Sequence, residues 1–210
     1  MSDTIVLHDL GDPDGGEAWR AAIAATAGCD GWLAPDLPGH GTTPAPRNGA
    51  YDPMAVVTLA RRSVGEGSLV VGVGQNAQAA LVLAAGGGCS RVALVDGLHG
   101  PFDDGAAAVA RMYAELRAIA GDPDAVGPSP AAGLDRRATY GYGVHVSAAF
   151  LQRFWGAVTV PVLAVETSAS RTPSEARNER LAWLGGSTTS VVIDSISPVA
   201  VLAEVAVWAT

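Results

Sequence analysis

Apolar positions in this chain fall in short runs rich in Val, Ile and Leu, and each run ends in a turn built from Gly, Pro, Asp or Ser. The runs at 4–7, 31–34, 68–71, 91–95, 161–166 and 190–193 predict strands. Between them lie stretches with apolar residues at helical spacing, which predict helices at 17–27, 54–64, 75–85, about 106–119, 174–184 and 199–208. Strand and helix alternating in this way predict an α/β fold, a doubly wound and mostly parallel sheet with helices on both faces. In such sheets ligands bind beyond the carboxyl ends of the strands. The residues to watch are therefore 8–11, 36–41, 72–76, 96–99, 166–170 and 194–197. The alternation loosens at about 101–150, where a predicted helix is followed by a Gly/Pro/Asp loop and a segment carrying Tyr140, Tyr142 and His145. We expect one domain over 1–210 with a short helical insertion there.

The stretch 68–85, SLVVGVGQNAQAALVLAA, holds the pattern together. A β-branched run ends in Gly72-Val73-Gly74-Gln75-Asn76, and an Ala/Leu-rich helix follows. This strand-turn-helix resembles the nucleophile elbow of the α/β-hydrolase family, G-x-S-x-G. Gly72 matches its first glycine, Gly74 stands where the serine belongs, and Asn76 stands at the second glycine. Three further stretches resemble the same family. His8-Asp9-Leu10-Gly11 is similar to its HG-x-G turn, with Asp9 in place of a glycine. Asp36-Leu37-Pro38-Gly39-His40-Gly41 matches its D-x-P-G-H-G loop, and 161–165 is similar to the strand leading to its catalytic acid. The insertion would be the family's variable cap.

The resemblance implies a fold and, at the same time, a vacated site. In the family a serine attacks an acyl carbon, a histidine takes its proton and an acid orients the histidine. On this alignment those positions are Gly74, Ser195 and Ser170, and no histidine follows His145. The oxyanion hole needs only backbone N–H groups, which the resemblance assigns to Leu10 and Gln75. His8 and His40 are expected to bond loop backbone. Candidates for the remaining chemistry are Asp96 and His99, as a base and its orienter after one strand. Pocket candidates are His8, Asp9, Asn76, His99, Tyr140, Tyr142 and His145. The expected function is binding of a small, largely apolar carbonyl or ester-like compound with little or no hydrolysis. The first alternative is a hydrolase, lyase or cyclase that uses the oxyanion hole and non-triad residues.

The missing serine also creates a second pattern. Gly72-x-Gly74-x-x-Ala77 fits the dinucleotide fingerprint, with Asp96 near the place of a ribose-binding acid. Against it, two strand-helix units precede the fingerprint, few strands follow, and the Asp36–Gly41 loop is left unexplained. No cofactor or metal is expected on the leading reading. Hydrophobic residues make up 49% of the 210 and charged residues 16%, with a net charge of −8. That balance argues against nucleic acid, which needs clustered Lys and Arg. No apolar run reaches the ~18 residues of a membrane helix. The first residues lack the basic start and apolar core of a signal peptide, so a cytoplasmic location is expected. Cys29 and Cys89 make no metal pattern and are expected to be core or boundary residues. The expected partner is a small-molecule ligand, with a protein partner or homodimer as further possibilities.

Overall fold

The computed structural model describes residues 2–46, 51–99, 133–135, 138 and 148–210. Its strands are β1 (Ser2–Leu7), β2 (Val64–Val73), β3 (Arg91–Val95), β4 (Val162–Glu166) and β5 (Thr188–Val192). They form one sheet in the order β1-β2-β3-β4-β5, and every neighbouring pair is parallel. On the other side of β1, Leu33 makes a single parallel bridge to Ile5. The strand expected at 31–34 is thus reduced to one bridging residue. Pro35 follows it without an N–H to extend the ladder, and Leu33 lies at the sheet's edge, 40% exposed.

The helices are α1 (Gly15–Ala25), α2 (Pro53–Ser63), α3 (Asn76–Ala85), α4 (Ala148–Gly156), α5 (Ser174–Leu181) and α6 (Pro198–Ala209). Their ends follow local chemistry. Asp52 caps α2 by accepting from the Met54 amide at 2.8 Å, with Pro53 in the first turn, where no N–H is needed. Helix α3 is apolar nearly all round, as a helix enclosed by protein should be. The strands sort their side chains with period two. Ile5, Leu7, Val70, Val92, Leu94, Val162 and Ala164 share a core with α2, α3 and Trp155 of α4. Val6, Leu69, Val71, Ala93, Val95, Leu163 and Val165 share the opposite core with Trp19 and Ala22 of α1 and with Val201, Leu202 and Val205 of α6. The doubly wound parallel sheet expected from the sequence is borne out.

This order places a switch point. From β1 the chain goes to Leu33 on one side, then returns to β2 on the other. The crevice of a doubly wound sheet opens where the winding reverses, here past the ends of β1 and β2. The expected insertion, with its helix at 106–119 and Tyr140, Tyr142 and His145, lies outside the described residues apart from 133–135, 138 and 148–150. Cys29 and Cys89 are free and buried, and burial pushes the Cys89 thiol up to about 11. No helix among the described residues is long and apolar enough to cross a membrane.

Candidate functional site

The elbow at the end of β2 is tight. A Cβ at Gly72 would lie 2.7 Å from both the Ala77 Cα and the Asn76 carbonyl oxygen, so only glycine lets α3 start this close to its own strand. Gly74 has φ +53°, a backbone conformation that side chains rarely adopt, and its amide donates to the Val95 carbonyl at 2.8 Å. The space above it is filled. A Cβ at Gly74 would sit 2.2 Å from the Asp9 Cγ and 2.4 Å from each of its carboxylate oxygens.

Asp9 comes from the loop after β1, and the two amides expected to form an oxyanion hole converge on it. Asp9 Oδ1 accepts from the Leu10 amide at 2.9 Å and from the Gln75 amide at 2.8 Å. The pair that was to receive a ligand's carbonyl oxygen therefore holds a carboxylate of the same chain, and the expectation of an open hole is corrected. The physical reason is complementarity. Two convergent N–H groups beside the first turn of a helix attract an anion, and the side chain at position 9 can reach them. The other oxygen, Oδ2, accepts no hydrogen bond among the described residues. Burial raises the Asp9 pKa from an ordinary 3.8 to about 6. The two amides and the Arg171 guanidinium pull it back down, while Asp12 adds to the rise.

His8 and His40 brace this turn. His8 Nδ1–H donates to the Asp9 carbonyl at 2.9 Å, and its Nε2 accepts from the Leu37 amide at 3.2 Å. Burial lowers its pKa to about 4, so the ring is neutral. His40 Nδ1–H donates to the Pro38 carbonyl at 3.0 Å, and its Nε2 accepts from the Gly11 amide at 3.3 Å. The two rings meet edge to face, 4.7 Å apart. Asn76 is fully buried and donates to the His8 carbonyl at 2.5 Å, tying the elbow to the β1 turn. His8 and Asn76, expected as pocket residues, are thus committed to backbone.

The Asp96–His99 pair is not formed. Asp96 accepts from the Thr167 amide at 2.7 Å and from the Thr167 hydroxyl at 2.6 Å, which consumes both its oxygens and joins the ends of β3 and β4. His99 Nδ1–H donates to the Arg171 carbonyl at 3.1 Å. The same contacts take up the groups that the dinucleotide reading would use, the Gln75 amide and the Asp96 carboxylate.

At the position aligned with a catalytic acid, the Ser170 hydroxyl donates to Glu166 Oε2 and its oxygen accepts from the Thr172 amide. Glu166 is fully buried at the end of β4. Burial raises its pKa; the Ser170 bond and the Arg177 charge oppose the rise. Ser195 accepts from the Ser197 amide at 3.1 Å in a local turn. Among the described residues no group of three or more His, Cys, Asp or Glu is placed to hold a metal.

Sequence reasoning missed the seat of Asp9, although both halves of the signal were visible. Asp9 stands where the HG-x-G turn that this stretch resembles has a glycine, and Gly74 where the resembled elbow has its serine.

No family model matches the sequence, and no curated protein matches it. Solved structures do share the fold. An esterase from M. tuberculosis superposes with a TM-score of 0.70 at 21% identity, over 100% of this chain and 86% of that one. An α/β hydrolase from Sphaerobacter thermophilus gives 0.64 at 14% identity, over 99% and 92%. The thioesterase domain from the curacin biosynthetic pathway gives 0.65 at 17% identity, over 97% and 90%.

Proposed function

We propose that this chain, whose fold is that of the α/β-hydrolases, is a non-hydrolytic member that binds a small, largely apolar compound over the elbow. The observation that carries this reading is Asp9 Oδ1 seated on the Leu10 and Gln75 amides above Gly74. Acyl transfer needs an attacking side chain and a hole for the oxyanion that develops. Gly74 supplies no attacking atom. The two amides already hold a carboxylate, whose charge would repel a second negative oxygen in the same place.

What Asp9 offers a ligand is Oδ2. Ionised, Oδ2 accepts from a hydroxyl, an enol or an amide N–H; protonated, it donates to a carbonyl. An enolisable carbonyl compound carries both complements, which refines the expectation of a simple carbonyl or ester ligand. Thermal-shift measurements with apolar 1,3-diketones, lactones and short esters, paired with a p-nitrophenyl ester assay, test the reading. The expected result is stabilisation by diketones without ester turnover. Sustained ester turnover by the wild type that persists in Asp9→Ala would overturn it.

A further inference from the structure

We propose that Asp9 is a general base, and that the chemistry of this cleft is proton transfer on an enolisable carbonyl substrate, a keto–enol isomerisation. The inference rests on the reading of a non-hydrolytic cleft and adds an activity to it. It stands first on placement. Asp9 sits past the end of β1 at the switch point of the sheet. Its carboxylate lies within 2.4 Å of where a side chain on Gly74 would begin. Asp9 thus fills, from the neighbouring turn, the space that a side chain on Gly74 would take.

The second support is orientation. Oδ1 is pinned by two amides from two different loops, which fixes the plane of the carboxylate and leaves Oδ2 without a hydrogen bond among the described residues. A base held this way needs no reorganisation before it acts. The peptide after it is braced as well, since His8 donates to the Asp9 carbonyl. The charged groups facing Asp9 are Asp12 of its own loop and Arg171 of the loop after β4. Burial brings the Asp9 pKa to about 6, close to the range in which a carboxylate is both ionised and basic.

The step balances without a co-reactant. Oδ2 takes a proton from the carbon beside the carbonyl. The C–H electron pair becomes the C=C bond, and the C=O π pair moves onto oxygen as an enolate. Arg171 supplies the nearby positive charge that favours this anion. The proton on Oδ2 then passes to the enolate oxygen, which gives the enol, and the carboxylate is restored. The reverse sequence makes the ketone.

Benzoylacetone, an apolar 1,3-diketone, is the probe. Its keto–enol relaxation is followed by absorbance and its deuterium uptake from D2O by NMR, and binding is measured separately by thermal shift. The wild type should speed relaxation by about 10²-fold or more over buffer. Asp9→Asn can still accept from both amides and should bind benzoylacetone while relaxing it at the buffer rate. Asp9→Ala should also fall to the buffer rate. Binding without acceleration by the wild type overturns the base and leaves the binding reading standing. Neither binding nor acceleration overturns both. Acceleration that survives in Asp9→Asn assigns the proton transfer to another group and also overturns the proposal.

Discussion

The contact between Asp9 and Gly74 makes a quantitative prediction about two substitutions that should not add. Gly74→Ala places a Cβ 2.2 Å from Asp9 Cγ and 2.4 Å from both oxygens, at a backbone φ of +53°. The left-handed backbone costs an alanine about 1–2 kcal/mol. The carboxylate must also leave its seat, giving up two charge-assisted hydrogen bonds of about 1.5–3 kcal/mol each. Rehydration of the displaced carboxylate offsets most of that loss, and the overpacking of the turn around the new Cβ leaves about 2–3 kcal/mol. The single variant should therefore lose about 3–5 kcal/mol, and at about 2–4 °C per kcal/mol for a chain of this size its Tm should drop by about 6–20 °C. In an Asp9→Ala background the clashing atoms are gone, so Gly74→Ala should cost only the backbone part, about 1–2 kcal/mol. A double-mutant cycle by urea denaturation reads the difference as a coupling of about 2–3 kcal/mol. Coupling below about 0.5 kcal/mol would mean that Asp9 does not occupy the space above Gly74, and the account of a filled hole would fail with it.

Other consequences can be checked on the same protein. The Asp9 pKa is raised from 3.8 to about 6, so its contribution to stability is full below 3.8 and is lost as pH rises through about 6. Asp9→Asn should thus gain on the wild type across that window, by up to about 3 kcal/mol at pH 7, in urea melts against pH. His8, lowered from 6.5 to about 4, acts in the opposite sense: its contribution is present above 6.5 and lost as pH falls through about 4. Removing the Asp9 term should therefore steepen the fall in stability on acidification, and a profile unchanged from wild type would count against both assignments. Gly72→Ala forces a Cβ against α3 backbone and should cost about 1–3 kcal/mol from overpacking, read as a lower Tm. Asp96→Asn turns an amide N–H toward a Thr167 donor and should destabilise by about 1–3 kcal/mol, with benzoylacetone relaxation by the folded protein unaltered.

The fold was legible because its signals are local and repeated. The runs that became β2, β3 and β4 are continuous and β-branched, as strands covered on both faces require. The edges were harder to read. Leu33 has too little strand around it to hold a ladder, and β5 begins at Thr188 through two threonines that carry no apolar signal. At the site, the Gly74 elbow and the Leu10 and Gln75 amides could be placed because these stretches resemble the family's elbow and HG-x-G turn. What fills the hole could not, because Asp9 and Gln75 are 66 residues apart and meet only when β1 and β2 pair. The Asp96–His99 pairing failed for a related reason. A shared strand end does not decide a carboxylate's partner when Thr167, on the adjacent strand, offers two donors.

The fit of Asp9 against Gly74 follows from the frame of the site. A pair of converging amides cannot be removed from this fold without undoing the β1 turn and the start of α3, so the chain retains an anion site at the switch point whatever side chains surround it. With a serine above it, such a site serves an oxyanion that exists only in passing. With a glycine above it and an aspartate within reach, it serves a permanent carboxylate. Neither change makes sense alone. Asp9 has no room beside a side chain at 74, and a glycine at 74 without Asp9 would leave two amides facing the cleft. Burial costs the carboxylate part of its preference for charge, and that cost brings its pKa up to about 6.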